Sequence, residues 1–253
     1  VLFVTAGLIA PLPYNPLVPD PTQILQPPSL QHLFGTDADG FDIFSRTIAA
    51  AGRDVPLVLL GTLGSLLIGL PLGLLAGSKS KWSDIFMRAL DVFQSFPIVI
   101  LAVAAVSVAG NNILNVIPAI IVINAPRFIR LIRTESLALR ESRFIEAARA
   151  IGVSKLRILY RHILPNVVDI TVVQCSLAAA HAMIVIAALS FLGVGVNLPE
   201  PSWGALIQAG ARQIVTGHWW VSLFPGIAVF AVVFCFNVIA DGIQLSAERG
   251  GRL

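Results

Sequence analysis

The stretch VPLVLLGTLGSLLIGLPLGLLAG, residues 55–77, decides the fold class, because it contains no charged side chain. A helix of about 20 apolar residues is long enough to cross the hydrocarbon core of a bilayer. Backbone amides in lipid find no water, so they must be paired within the segment, as a helix pairs them. Residues 55–77 are therefore predicted to form a membrane-spanning helix.

The overall composition is also that of a membrane protein. Hydrophobic residues make up 56% of the 253 residues and charged residues only 12%, whereas roughly a quarter of the residues in a soluble domain are charged. Further apolar runs predict spans at 92–110, 113–126, 168–193 and 221–240. The chain is therefore predicted to be an all-α integral membrane protein.

The first ten residues, VLFVTAGLIA, form a short apolar run that the prolines of PLPYNP end. We interpret residues 1–10 as the outer end of a first span. A cleaved signal peptide is the alternative, although the basic region that normally begins one is not visible. With this partial span, six spans are predicted.

Lys and Arg are concentrated in three connections between the spans. Cytoplasmic loops carry an excess of these residues, and segments 78–91, 127–167 and 241–253 hold 14 of the 17 in the chain. These segments are predicted to be cytoplasmic, which places both termini inside. The predicted organisation is an extracytoplasmic segment at 11–54, a transmembrane domain at 55–245 with a cytoplasmic loop at 127–166 and an outer loop at 194–220, and a cytoplasmic tail at 246–253.

The outer loop ends in two adjacent tryptophans, Trp219 and Trp220. Tryptophan is enriched at the headgroup level of the bilayer. Both residues are therefore expected to anchor the last span there.

The sequence patterns of several common cofactor-binding and catalytic sites do not occur in this chain. Cys175 and Cys235 lie inside apolar runs, which favours neither a disulfide framework nor a zinc site. The nearest string to a GxxxxGK[ST] phosphate loop, GLLAGSKS at residues 73–80, has the wrong spacing, and no HExxH or GxSxG motif occurs. No metal site is expected from the scattered histidines, which are His32, His162, His181 and His218. The chain is thus expected to be no enzyme and to hold no cofactor.

The basic loop 127–166 reads RFIRLIRTESLALRESRFIEAARAIGVSKLRILYRHILPN. Its apolar residues recur at helical spacing on both sides of Gly152. Gly152 suits the left-handed turn that ends a helix, Ser154 suits the cap of the next, and Pro165 is expected to stop it. The predicted unit lies either on the membrane surface or against a cytoplasmic protein partner.

Three motifs carry a resemblance to a known family. The segment EAARAIG, followed by nine residues and then HILP, resembles the cytoplasmic signature of ABC importer permeases, with His162 where the general pattern has Ile. FGTDADGFDIFSR at 34–46 is similar to the FGTDxxGRDVLSR segment of the peptide branch, and SFLGVGVNLPEPSWG at 190–204 to SFLGLGxxPPxPSWG. The ending ADGIQLSAERGGRL departs from the usual GDGLRDALDPR. The chain is thus identified as a C-type subunit of the dipeptide/oligopeptide/nickel class of binding-protein-dependent inner-membrane permeases.

The resemblance implies a set of partners in the bacterial inner membrane. They are a second similar permease, two cytoplasmic ATPases that hold ATP and Mg, an extracytoplasmic binding protein and membrane lipid, without nucleic acid. In such systems the signature loop couples the ATPases to the spans. The residues carried over to this role are Glu146, Ala147, Ala148, Gly152, Ser154, Leu156 and Leu159.

The resemblance also implies a path for solute between the two permeases. Polar side chains in spans are costly unless they face a cavity or another helix. Gln174 and His181 share a helix face with Ala178 and Val185, and together with Gln94 they are candidates either for the path or for contacts between helices.

Peptides are the expected solute, with nickel or another metal chelate, glutathione and small opine-like compounds as alternatives. An ion-coupled secondary transporter is the rival class. It usually needs carboxylates within the spans, and the acidic residues here avoid the span centres.

Overall fold

The computed structural model describes residues 11–110, 115–195 and 199–249. Within these residues the regular secondary structure is helical, with one isolated bridge between Thr36 and Asp42 and no strand, and residues 11–42 before the first helix form turns and bends. This confirms the all-α fold class. The α-helices are α1 (Ile43–Ala76), α2 (Lys81–Gln94), α3 (Ile98–Ala109), α4 (Val116–Arg140), α5 (Arg143–Ala150), α6 (Lys155–Ile158), α7 (Leu164–Phe191), α8 (Trp203–Ala211) and α9 (Trp220–Arg249).

Three helical segments in the described part are long and apolar enough to cross a membrane: Ile43–Ala76, Lys155–Phe191 and Trp220–Ser246. A fourth span results if Lys81–Gln94 and Ile98–Val108, which meet at an 89° bend, are counted as one broken span. The structure therefore supports a multi-pass membrane protein, and six spans stay a prediction. The segment at 1–10 lies outside the described residues.

Helix α1 begins at Ile43, twelve residues earlier than the predicted span at 55, and has 34 residues. At 1.5 Å per residue it is about 51 Å long, which exceeds a hydrocarbon core of about 30 Å. The charged residues in the first turns of α1 have partners nearby. Arg53 lies 3.3 Å from Glu200, and Asp54 accepts a hydrogen bond from the Trp203 amide. The segment predicted as extracytoplasmic, 11–54, thus contains the first turns of α1.

The chain divides into two compact units. Among the described residues, the first unit comprises 11–61, 99–110, 115–120, 180–195 and 199–235, and the second comprises 62–98, 121–179 and 236–249.

The first unit is organised around two buried tryptophans. Trp203 is fully buried, and its indole N–H donates to the Thr47 carbonyl at 2.9 Å. Trp220 is also buried, and its indole donates to the Thr36 carbonyl at 3.3 Å. The expectation that Trp220 anchors the span at the headgroup level is therefore corrected, because its indole is used inside the unit. Trp219 is half exposed.

The segment before α1 is held by a polar cluster in the same unit. His32 Nδ1 lies 2.9 Å from the Asp42 carboxylate, and the Tyr14 ring stacks on the His32 ring at 4.6 Å. The other Asp42 oxygen accepts the Ser45 amide at 2.7 Å, which is the contact of an N-cap residue. One carboxylate thus both starts α1 and orders the segment before it.

The second unit brings α1 and α4 together along a row of glycines. A Cβ on Gly73 would lie 2.7 Å from Ile132 Cβ and 3.0 Å from the Ile129 carbonyl, and Gly64, Gly69 and Gly77 are similarly close to α4 side chains. Small residues let two helices approach closely where lipid supplies little driving force for association.

Replacing Gly73 with Ala should test this close approach. Overfilling a packed interface costs about 1–3 kcal/mol, so Gly73→Ala should lower the thermal unfolding midpoint of the purified protein. Gly226→Ala is the matched control, since a Cβ on Gly226 meets nothing within 4 Å and Ala favours helix by up to about 1 kcal/mol over Gly. Equal midpoints for the two variants would show that α1 and α4 are not this close.

The predicted orientation can be tested by cysteine labelling in a background without Cys175 and Cys235. Leu30 is 98% exposed and Lys155 is exposed, so both positions should react with a thiol reagent. Because the basic segments are predicted to be cytoplasmic, an impermeant reagent added outside should label Leu30→Cys and not Lys155→Cys. Labelling of Lys155→Cys from outside would reverse the orientation.

Candidate functional site

The basic loop is more structured than a connection between two spans. Helix α4 continues through Pro126 to Arg140, so the predicted loop at 127–166 begins as the end of a helix. Ser142, in extended conformation, is the N-cap residue of α5, which begins at Arg143. The loop proper is therefore reduced to α5, the glycine turn and α6.

The turn between α5 and α6 has the predicted geometry. Gly152 has φ +80°, and its N–H donates to the Arg149 carbonyl at 3.0 Å while the Val153 N–H donates to the Ala148 carbonyl at 3.0 Å. This pair of bonds is the Schellman motif, which favours glycine because it needs positive φ. Ser154 accepts the Arg157 amide at 3.4 Å, and the predicted helix, glycine turn and second helix are confirmed.

The sequence predicted that the second helix stops at Pro165, but the helix continues past it. A π-helical segment, Leu159–Ile163, joins α6 directly to α7, and the Leu164 N–H donates to the Leu159 carbonyl. Proline lacks an N–H and its ring collides with the carbonyl four residues earlier in a regular helix. The wider π turn just before Pro165 replaces that bonding pattern. Lys155–Phe191 is consequently one helical segment of 37 residues.

The inner side of the loop packs into the core of the second unit. The buried members from the loop are Ile145, Ala148, Ile158 and Ile163, which cluster with Leu74, Phe128, Ile132, Val167 and Ala178. Leu159 packs against this cluster from a partly buried position. Ala148 and Leu159, which the resemblance assigned to ATPase coupling, thus pack against the chain's own core.

The outer side of the loop exposes apolar side chains. Ile151 is 81% exposed, Leu156 68% and Tyr160 65%, and Ala147 and Glu146 are exposed beside them. We call Ala147, Ile151, Leu156 and Tyr160 the exposed apolar surface. Sequence reasoning did not single out Ile151 and Tyr160 as site residues, although Ile151 directly precedes the turn glycine.

Positive charge surrounds this surface. Within the described residues, no ion pair joins an acid to any of the exposed loop cations, which are Arg143, Arg149, Lys155, Arg157 and Arg161. The arginines of α4 differ, since Arg130 lies 2.7 Å from Asp91 and Arg133 lies 3.0 Å from Asp84. The acids of α2 thus neutralise these two arginines of α4, while the loop itself keeps its charge.

The candidate path residues have different surroundings. Gln94 ends α2 at an exposed position, where its side chain accepts a hydrogen bond from Arg130. Gln174 and His181 are half-buried in α7, on the helix face where Ala178 and Val185 are fully packed. No group of three or more His, Cys, Asp or Glu residues that could hold a metal occurs in the described part of the chain.

Comparison with known proteins shows the family to which this chain belongs. A family model described as "Binding-protein-dependent transport system inner membrane component" matches residues 69–250. The chain belongs to this family. Its match includes the whole signature loop and both helices that flank it.

Individual relatives agree with the family. The permease is 38% identical to the dipeptide transport system permease protein DppC of Alkalihalophilus pseudofirmus, over 96% of this chain and 80% of that protein. It is 42% identical to the glutathione transport system permease protein GsiD of Escherichia coli, over 86% of this chain and 72% of that protein. The resemblance drawn from the three motifs is thereby confirmed.

A solved structure shares the permease fold. A chain of the MetNI methionine ABC transporter, in an inward-facing conformation, superposes with a TM-score of 0.60 at 20% identity, over 78% of this chain and 96% of that one. At this identity the likeness concerns the fold alone. The permease is therefore a membrane component of an ABC transport system, and its described helices form a fold already seen in such a system.

Proposed function

We propose that this permease pairs with a second similar permease to form the translocation path for peptides or solutes of similar size, delivered by an extracytoplasmic binding protein. Two cytoplasmic ATPases drive the cycle, and one of them docks on the exposed apolar surface of the loop. The proposal includes six spans with both termini in the cytoplasm. Support for the solute class comes from the relatives, which are named for dipeptide and glutathione transport. A nickel or metal-chelate solute is the alternative within the same class.

One observation carries the docking proposal: Ile151 is 81% exposed on a loop whose other side, at Ile145, is fully buried. An apolar side chain exposed on a rigid helical element is typical of a protein contact site. Ala147 and Ile151 lie one turn apart and form the start of this surface.

The same arrangement favours a protein partner over the membrane surface. A helix lying on lipid turns its apolar side toward the bilayer. In α5 the side that faces the span helices is already filled by Ile145 and Ala148, which pack against Leu74 and Phe128. The exposed apolar residues therefore point away from the span ends, where a cytoplasmic subunit can reach them.

The proposed path through the membrane is supported by the positions of its candidate polar residues. Gln174 and His181 lie on α7, the span that continues from the docking loop. A motion of α6 would therefore act on the helix that carries these side chains. We propose that they line the path or contact the second permease. Gln94, whose side chain accepts a hydrogen bond from Arg130, is the third candidate.

The docking proposal predicts that bulk in the loop uncouples the ATPase. Ala147→Trp should overfill the contact. Gly152→Val should strain the turn, because β-branched residues strongly disfavour positive φ. Both variants should insert and assemble but lose most of the ATP hydrolysis that the loaded binding protein stimulates in the reconstituted complex.

Two matched controls accompany this experiment. Gly152→Asn keeps a residue that tolerates positive φ, and a Cβ at Gly152 meets nothing within 4 Å, so stimulation should persist. Lys155→Gln changes an exposed charge outside the apolar surface and should also leave stimulation intact. Wild-type stimulation in Ala147→Trp and Gly152→Val would reject docking at this loop.

A further inference from the structure

A cavity beside the loop is lined by none of the residues of the exposed apolar surface. It encloses about 240 Å³ and is lined by Ser78, Lys79, Leu137, Arg140, Glu141 and Arg149. These residues come from the connection after α1, the end of α4 and the end of α5. Two helices and the connections next to them thus contribute to one small polar site that the coupling proposal does not use.

The charges in this cavity do not balance. Of the lining residues, three are basic and Glu141 alone is acidic. Glu141 is bonded to Lys79, and this hydrogen bond, together with the Lys79 charge, lowers the pKa of Glu141. The acid is therefore ionised and already paired, which leaves Arg140 and Arg149 without an acidic partner in the described part of the chain.

Arg140 is the half-buried member of this pair of arginines, whereas Arg149 is exposed. Its Nε atom is buried without a hydrogen-bond partner among the described residues. Burial, and secondly the nearby Arg149 cation, lower the pKa of Arg140. Buried polar groups in folded proteins are nearly always bonded, so the unpaired Nε atom of this half-buried guanidinium, beside a second cation, favours the binding of an anion.

The position of the cavity indicates the kind of anion. Ser78 and Lys79 lie two and three residues after Ala76, the last residue of α1, which is long and apolar enough to cross a membrane. Basic pockets between span helices bind the phosphates of lipid headgroups. Guanidinium groups suit phosphate because they donate paired hydrogen bonds to its oxygens.

We propose that Arg140 and Arg149 form a binding site for a phosphate group, which we call the phosphate pocket. The group is the phosphate of an acidic phospholipid headgroup or a free phosphate ion, and its binding relieves the repulsion between the two arginines. Because Arg149 lies in α5, the site links the docking loop to the membrane surface or to soluble phosphate.

The test measures thermal unfolding of the purified transporter in uncharged detergent. One arm titrates short-chain phosphatidylglycerol against zwitterionic short-chain phosphatidylcholine. The other titrates inorganic phosphate against chloride at equal ionic strength. The variants are Arg140→Gln and Arg149→Gln, and the control is Arg157→Gln, an exposed loop cation that does not line the cavity.

We expect phosphatidylglycerol to raise the unfolding midpoint of wild-type protein and of Arg157→Gln. In Arg140→Gln and in Arg149→Gln the half-saturating concentration should rise about tenfold or more, the usual effect of losing a charge-assisted hydrogen bond. Without ligand, the Arg149→Gln midpoint should equal or exceed that of wild type, since one of two unpaired like charges is removed. If inorganic phosphate alone gives the arginine-dependent shift, the pocket is supported and its source is the free ion.

Two results would overturn the proposal. One is the same shift in all four proteins, which would mean nonspecific attraction to a basic surface. The other is no shift with either probe.

Discussion

Burial of Ile145 against Phe128 and Ile132 is the contact on which the rest of the loop depends. It fixes α5 to the ends of α1 and α4, and Ala148, Ile158 and Ile163 extend the same cluster. Each fully buried side chain of this size contributes about 1.5–3 kcal/mol relative to exposure. Because the inner side of the loop is packed against the core, the outer side exposes Ile151 from a fixed backbone.

A movement of the loop can be transmitted to the membrane part, because the helix that begins in the loop continues without a break into a span. The π segment Leu159–Ile163 accommodates Pro165, so that α6 and α7 form one helical segment. A partner that moves α6 therefore moves the start of α7. Through this continuity, a docked subunit can favour one arrangement of the packed helices over another.

The sequence predicted the features that depend on neighbouring residues. Gly152 and Ser154 were assigned correctly because a Schellman turn and an N-cap are specified by the residue type at one position. Other features depended on distant partners. Arg53 and Asp54 were placed in the extracytoplasmic segment before the span, but they lie within α1, where Glu200 and Trp203 are their partners. The side of α5 that Ala148 occupies could likewise be known only from the residues packed against it.

A photo-crosslinking side chain in place of Ile151 tests the central claim most directly, because it reports what the exposed apolar surface touches in intact cells. The same side chain at Leu30, which is also highly exposed but lies on the predicted outer side, controls for random capture. Docking predicts a covalent adduct between position 151 and the ATPase subunit, and none with that subunit from position 30. Adducts with lipid alone at position 151 would contradict the account and would place this surface on the membrane.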